Sequence, residues 1–236
     1  MASCTGIIAE YNPFHNGHLY QLERARASNP GARIAVAMSG SFTQRGEPAC
    51  ADKFTRARWA LEQGADIVFE LPSVFVLASA ERFARGGVAL LAGSGIVDAL
   101  SFGAGDADAV LLRRLARMSC PESGALGERL AVHLKAGSSF PAARAKACAD
   151  LHGGALSGAL TSPNNILALE YLRAIDAFSP DMQPLPVKRE GVGHDETSPA
   201  GNFASASALR AAFARGEREL LSRCAPEAIA ADAARL

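Results

Sequence analysis

Short, continuous apolar runs alternate with longer stretches whose apolar residues recur every third or fourth position. TGIIAE (5–10), ARIAVAM (32–38), DIVFELP (66–72) and DALSFG (98–103) are of the first kind. Runs this short and this uniformly apolar predict strands buried on both faces, the third stopped by Pro72. Between them, NGHLYQLERARAS (16–28) sets Leu19, Leu22 and Ala25 on one helical stripe, and ADKFTRARWALEQG (51–64) closes on a glycine as helices do. Residues 73–95 read as helix with an interruption at Gly86 and Gly87. The order is βαβαβαβ, which predicts a parallel sheet covered by helices on both faces, with ligands held at the carboxyl ends of the strands.

Beyond position 106 the rhythm is mostly helical as far as 178, through DADAVLLRRLARM, ESGALGERLAVHLKAG, PAARAKACADLHGG and SPNNILALEYLRAIDAF. MQPLPVKR (182–189) predicts a last strand, GVGHDETSPAGN (191–202) a loop, and ASASALRAAFARG (204–216) a helix with a serine-rich start. The expected fold is α/β, a Rossmann-like parallel sheet with a helical insertion and a helical C-terminal segment. Residues 1–216 form one domain that contains the insertion (106–178), and 217–236 form a helical tail that reads as the start of a further domain.

Composition changes this picture little. The 236 residues are 49% hydrophobic, enough for a sizeable core and unlike a disordered chain. Lys and Arg total 24 and so do Asp and Glu, so no net field draws the protein to nucleic acid or membrane, although a local basic face stays open. Five scattered cysteines without a CxxC pair argue against a disulfide framework or a zinc ribbon, and for reduced thiols in the cytoplasm. No apolar stretch approaches the ~18 residues that span a membrane.

The chemistry concentrates where the first strand gives way to the first helix, at His15-Asn16-Gly17-His18. A helix N-terminus there offers unpaired N–H groups and the positive end of its dipole, a ready anion site. Residues three apart share a helix face, so both imidazoles can address one ligand. Gly17 lets a base or phosphate approach the backbone, and imidazole N–H groups can hold phosphoryl oxygens as charge builds in an in-line displacement. The competing readings are a surface histidine pair and a pair of metal ligands. Neither GxGxxG nor GxxxxGK[ST] occurs, which argues against a hydride-transferring Rossmann enzyme and a P-loop NTPase.

HxGH in this position resembles the motif of the nucleotidyltransferase superfamily, which shares a Rossmann-like fold with class I aminoacyl-tRNA synthetases. EYNPFHNGH (10–18), MSGSFTQRGEPA (38–49), GADIVFELP (64–72), SPNNILALEYL (162–172) and SASALR (205–210) together are similar to the tRNA(Met) cytidine acetate ligase family. The resemblance spans 6–210 and makes 1–216 a nucleotidyltransferase-like catalytic domain. It implies a cytoplasmic ligase that joins ATP and acetate into acetyl-adenylate and passes the acetyl group to the wobble cytidine of elongator tRNA(Met), giving N4-acetylcytidine. Mg²⁺ is expected with ATP, and no membrane or DNA partner. The resemblance also implies that residues 8 to 21 (Ile8, Ala9, Glu10, Tyr11, Asn12, Pro13, Phe14, His15, Asn16, Gly17, His18, Leu19, Tyr20 and Gln21) line the ATP site, with His15 and His18 at the phosphates. Gly103, Asn164 and Arg189 carry over as further nucleotide contacts, with Asn165 and Lys188 as neighbours that compete for the last two roles. Chains of that family run longer, so the resemblance implies a missing C-terminal portion and, with it, tRNA contacts.

Other positions rest on their chemistry. Gln44 and Arg45 follow the second strand and face acetate or phosphate. Lys53, opening the next helix, either reaches the triphosphate or is solvated. Ser205 and Ser207 cap the helix that carries Arg210, and Ser207 with Arg210, three residues apart, offers phosphates a hydroxyl and a guanidinium. His133 and His152 read as structural or surface residues, Trp59 as core, and Glu70 and Glu81 as either caps or ligands. His194 and Asp195 read as a loop turn, or as a lid over ATP. Arg24, Arg26, Arg56, Arg58, Arg82, Arg85, Arg113, Arg114 and Arg117 lie on helices as a solvated surface or a basic face. Two other functions fit the motifs: adenylyl transfer to a phosphorylated cofactor precursor, and a non-catalytic nucleotide- or RNA-binding module.

Overall fold

The computed structural model describes residues 3–105, 108–119, 124–153, 163–188 and 201–233. The strands are β1 (Cys4–Ala9), β2 (Arg33–Ser39), β3 (Ile67–Leu71), β4 (Ala99–Ala104) and β5 (Gln183–Lys188). They form one parallel sheet in the order β3-β2-β1-β4-β5. The strand order turns about β1, and the two central strands part early at their carboxyl ends. β1 pairs with β2 as far as Ala9 and Met38, but with β4 only as far as Ile7 and Ser101. The chain thus opens a crevice beside β1, at the switch point where doubly wound sheets bind ligands.

Alternation along the strands feeds two cores. On one face Cys4, Ile8, Ala35 and Ala37 join Leu100 and Phe102. On the other, Ile7, Ile34, Val36 and Met38 pack with Leu22, Ala25 and Trp59. That second face is covered by α1 (Asn16–Ser28) and α2 (Lys53–Glu62). The first face is covered by α4 (Ala80–Gly93), which follows the short α3 (Ser73–Val76), and by α8 (Pro163–Phe178). The insertion also holds α5 (Ala109–Met118), α6 (Gly124–Lys135) and α7 (Phe140–His152).

The expected interruption at Gly86 and Gly87 does not occur. The helical stretch breaks at 77–79 instead, where Ser79 caps α4 by accepting the N–H of Arg82. Both glycines lie buried inside α4. A Cβ on Gly87 would come within 2.6 Å of Ile8 Cδ1, and one on Gly86 would collide with the ring of Phe75. These are close-approach glycines that let α4 lie against β1 and α3, so here packing outweighs helix propensity.

The C-terminal segment forms α9 (Ala206–Arg215), α10 (Arg218–Cys224) and α11 (Glu227–Ala233). Ala225 and Ile229 pack into the α1–α2 core, and Asp232 accepts the Trp59 indole N–H at 2.8 Å while pairing with Arg58 at 2.7 Å. Trp59 is fully buried. The Gly87→Ala variant should therefore lose about 1–3 kcal/mol through overpacking, despite a gain of up to ~1 kcal/mol in helix propensity. Chemical denaturation of the two proteins checks this.

Candidate functional site

His15 is the N-cap of α1, with φ −147° and ψ 174°. Its Nδ1 accepts the N–H of Gly17 at 3.0 Å, and its own N–H donates to His18 Nδ1 at 3.2 Å. This is a capping box built from two histidines in place of the usual hydroxyl and carboxyl or amide. With both Nδ1 atoms accepting, each neutral ring carries its hydrogen on Nε2. The rings stack 3.7 Å apart at 25°, with Tyr11 edge-on to His18. Gly17 is required by the same arrangement, because a Cβ there would stand 2.9 Å from His15 Cε1. Tyr11, fully buried, takes a left-handed φ of 49°, a costly conformation for an aromatic residue at the entrance to this turn.

A cavity of about 500 Å³ lies at the carboxyl ends of β1, β4 and β5. Of the segment expected at ATP, Ile8, Ala9, Glu10, Tyr11, Asn12, His15, Gly17, His18, Tyr20 and Gln21 line it. Gly103, Gln44, Arg45 and Arg210 line it as well. Pro13, Phe14, Asn16 and Leu19 are not among the lining residues. Phe14 is fully buried in the α1–α2 core and Leu19 packs against it. Asn16 turns away and donates to the carbonyls of Asn202 and Arg223, tying α1 to the C-terminal helices. Asn165 Oδ1 accepts the N–H of Gly105 at 2.8 Å, which joins the start of α8 to the end of β4. Lys188 lines the cavity, whereas Arg189, His194, Asp195 and the side chain of Asn164 lie outside the described residues.

Of the residues chosen for their chemistry, Lys53 and Ser207 do not line the cavity, whereas Arg210 does. Lys53 pairs with Glu70 at 2.6 Å and does not line the cavity. Ser207 is exposed beside Ser205, and it is Ser205 that caps α9, accepting the N–H of Ala208 at 3.1 Å, and lines the cavity. Arg210 reaches back across the site and donates to the carbonyl of Asn12 at 3.2 Å.

Sequence reading missed the apolar wall and the brace beneath the site. Phe83, Phe102, Ile166, Leu167, Tyr171 and Val187 supply the wall. Burial, with the Glu10 charge as a smaller cause, raises the Tyr171 phenol far above its usual range, so it is a neutral hydrogen-bonding group. The brace is Arg56, fully buried on α2. It donates to the carbonyls of Glu10, Ser39, Gly40 and Ala51, at 3.1 Å for Ser39 and for Ala51. Glu10 in turn accepts the N–H of Gln44 at 2.6 Å, and the Gln44 amide donates to Ala78 at 2.8 Å. Cys50 is pushed up to about 11 by burial, against the opposing pull of Arg56 and Arg210, and is no nucleophile at neutral pH.

The parallel sheet, the HxGH turn and the cavity beside it define a nucleotidyltransferase fold. Residues 2–235 match the HIGH Nucleotidyl Transferase family, and the chain belongs to that family. The tRNA(Met) cytidine acetate ligase of Syntrophotalea carbinolica is 48% identical over 232 residues, which cover 95% of this chain and 54% of that protein. The enzyme of the same name from Fervidobacterium nodosum is 40% identical over 223 residues, 94% of this chain and 52% of that protein. Apo Thermotoga maritima TmcAL superposes with a TM-score of 0.92 at 36% identity, covering 99% of this chain and 56% of that one. The same protein bound with alpha-thio ATP gives 0.89 at 35% identity. The chain spans about half the length of these relatives.

The capping role of His15 is separable from any chemistry it performs. His15→Ala should cost about 0.5–2 kcal/mol, whereas His15→Asn, which keeps a side-chain acceptor at the N-cap, should stay within about 0.5 kcal/mol of the parent. Urea unfolding of the three proteins reads the difference.

Proposed function

We propose that this chain carries the acetate-activating chemistry of a tRNA(Met) cytidine acetate ligase. ATP enters the cavity with its base toward the apolar wall and its phosphates toward the imidazole pair and Arg210. An acetate oxygen attacks the α-phosphorus, the bond to the bridging oxygen of the β-phosphate breaks, and pyrophosphate leaves. Acetyl-adenylate remains. The exocyclic amine of the wobble cytidine of elongator tRNA(Met) then attacks the acetyl carbon, AMP departs with the bonding pair, and the amine loses a proton to give N4-acetylcytidine. No protein nucleophile is needed. The work is alignment of the reactants and neutralisation of the leaving charge.

The observation that carries this reading is the stacked histidine pair, whose Nδ1 atoms are committed to the helix start while the rings line the cavity. Donors fixed in this way need no reorganisation as charge develops on the phosphates. The relative with alpha-thio ATP bound supports ATP as the nucleotide. Among the described residues no three His, Cys, Asp or Glu side chains gather as a metal site. Glu10 and Glu47 are the carboxylates that line the cavity, so Mg²⁺ would ride chiefly on the ATP phosphates and neutralise their charge. Arg26, Arg58, Arg113 and Arg117 each stand against a carboxylate, which favours the solvated-surface reading of these helices over a basic face. No helix of the described residues is long and apolar enough to cross a membrane.

Pyrophosphate exchange into ATP tests the reading. Dependence on acetate supports it, dependence on a phosphomonoester supports the cofactor-precursor alternative, and ATP binding without exchange supports a non-catalytic module. Labelled acetate with a tRNA(Met) transcript tests the second half-reaction. His18→Gln keeps the capping box and removes the imidazole. It should leave the melting temperature within a few degrees and lower acetate-dependent exchange by about 10²–10³-fold.

A further inference from the structure

Two buried polar atoms of the cavity lining have no hydrogen-bond partner, Asn12 Nδ2 and Thr43 Oγ1. The other such atoms among the described residues belong to Ser39, Ser101, Arg113 and Arg144, none of which lines the cavity. Asn12 is 2% exposed and Thr43 3%. Asn12 Oδ1 accepts the N–H of Cys50 at 2.6 Å, which fixes the other end of the amide as a donor. Thr43 sits in a small hairpin whose backbone is already satisfied. Its N–H donates to Glu47, its carbonyl accepts from Gly46 at a left-handed φ of 83°, and Phe42 bridges Pro48. The turn has no use for the Thr43 hydroxyl. Buried donors without partners are rare, because leaving them unmade forfeits their hydration.

Both donors lie where the chain leaves β1 and β2, while the switch-point crevice and the apolar wall lie toward β4 and β5. Arg210 stands beside them, donating to the Asn12 carbonyl and lying 3.8 Å from Glu47, with Arg45 also in the lining and Arg56 buried beneath. Two neutral donors suit a small monoanion better than a triphosphate, whose charge falls to the imidazole pair and Arg210. Resting on the acetate-activation reading, we infer that Thr43 Oγ1 and Asn12 Nδ2 receive the carboxylate of the acid substrate. The other anionic oxygens that fit such donors are those of the ATP phosphates. Neither donor is open to water here, so the Thr43 hydroxyl turns to the carboxylate by a change of rotamer, while the Asn12 amide keeps its Oδ1 bond to Cys50 and offers Nδ2.

Thr43→Val is nearly isosteric and leaves the hairpin backbone untouched. It should raise the KM for acetate in pyrophosphate exchange by about tenfold or more, as expected for loss of a hydrogen bond to a charged group, and leave the KM for ATP within about twofold. Its melting temperature should hold or rise, because an unsatisfied buried hydroxyl is removed; a merely structural role would lower it. Thr43→Ser should retain the parental KM for acetate. An unchanged acetate KM in Thr43→Val overturns the inference, as does a change confined to the ATP KM, which would give these donors to phosphate. If the unaltered chain shows no acetate-dependent exchange, the acetate-activation reading fails by itself. The subsite is then read from the fluorine NMR signal of fluoroacetate with alpha-thio ATP present. Broadening that is lost in Thr43→Val supports the carboxylate subsite, and equal behaviour of the two proteins overturns it.

Discussion

The buried guanidinium of Arg56 is the contact on which the site depends. It joins the carbonyls that end β1, at Glu10, to those that end β2, at Ser39 and Gly40, and to Ala51 just before its own helix. Strand ends in a parallel sheet leave carbonyls without partners, and burying them costs free energy unless a donor reaches them. Desolvation lowers the Arg56 pKa, against the opposing pull of the acidic groups Cys50, Glu10, Asp52 and Glu70, yet arginine stays charged in any folded protein. A single cation thus holds the floor of the cavity and adds a positive charge beneath a place suited to anions. Lysine has no planar fork with which to span the same separated oxygens.

Above that floor the two histidines perform two tasks at once. The cap requires acceptors, so Nδ1 of each ring faces the first turn of α1. Fixing Nδ1 as an acceptor places the ring hydrogen on Nε2, and stacking holds the rings in register. The capping interaction therefore sets the tautomer. An aspartate cap would satisfy the same amide but offer no donor to a ligand, and a serine hydroxyl would donate only from the capping atom itself, without the reach of a ring. That explains physically why a helix start should carry HxGH rather than the commoner polar caps.

What the sequence revealed followed from contiguity. Helix α1 begins and ends at the residues its stripe and motif predicted, Asn16 and Ser28, because cap, glycine and periodicity lie within one short stretch. The strands were legible within a residue or two because parallel strands are apolar on both faces. The Gly86–Gly87 pair was misread because close approach of Ile8 and Phe75 is a tertiary fact that no local pattern carries. Arg56 looked like one of several helix-surface arginines, since the stripe of α2 does not say which charged residue turns inward. Ser205 rather than Ser207 became the cap and the cavity residue because the helix starts at Ala206, a boundary shift of one or two positions.

The apolar wall was illegible for a different reason. Ile166, Leu167 and Tyr171 recur at helical spacing, and such residues look alike whether they face a core or a ligand. What fixes their direction is a charged contact on the same helix, one turn beyond Ile166 and Leu167 and next to Tyr171. Glu170 Oε1 accepts from Arg144 on α7 and from Arg173, each at 2.7 Å, while Arg173 also donates to the carbonyl of Ala116 and the hydroxyl of Ser119. A buried ion network of this kind adds little net stability, because desolvation offsets its attraction. Its geometry is nevertheless demanding. An apolar contact would tolerate rotation of α8 against α5 and α7, whereas a carboxylate shared by two guanidiniums does not. With Glu170 fixed, the next residue, Tyr171, and those one turn back, Ile166 and Leu167, have one orientation open to them. The helical insertion is thus part of the site, and its charged interior sets how the wall faces the cavity.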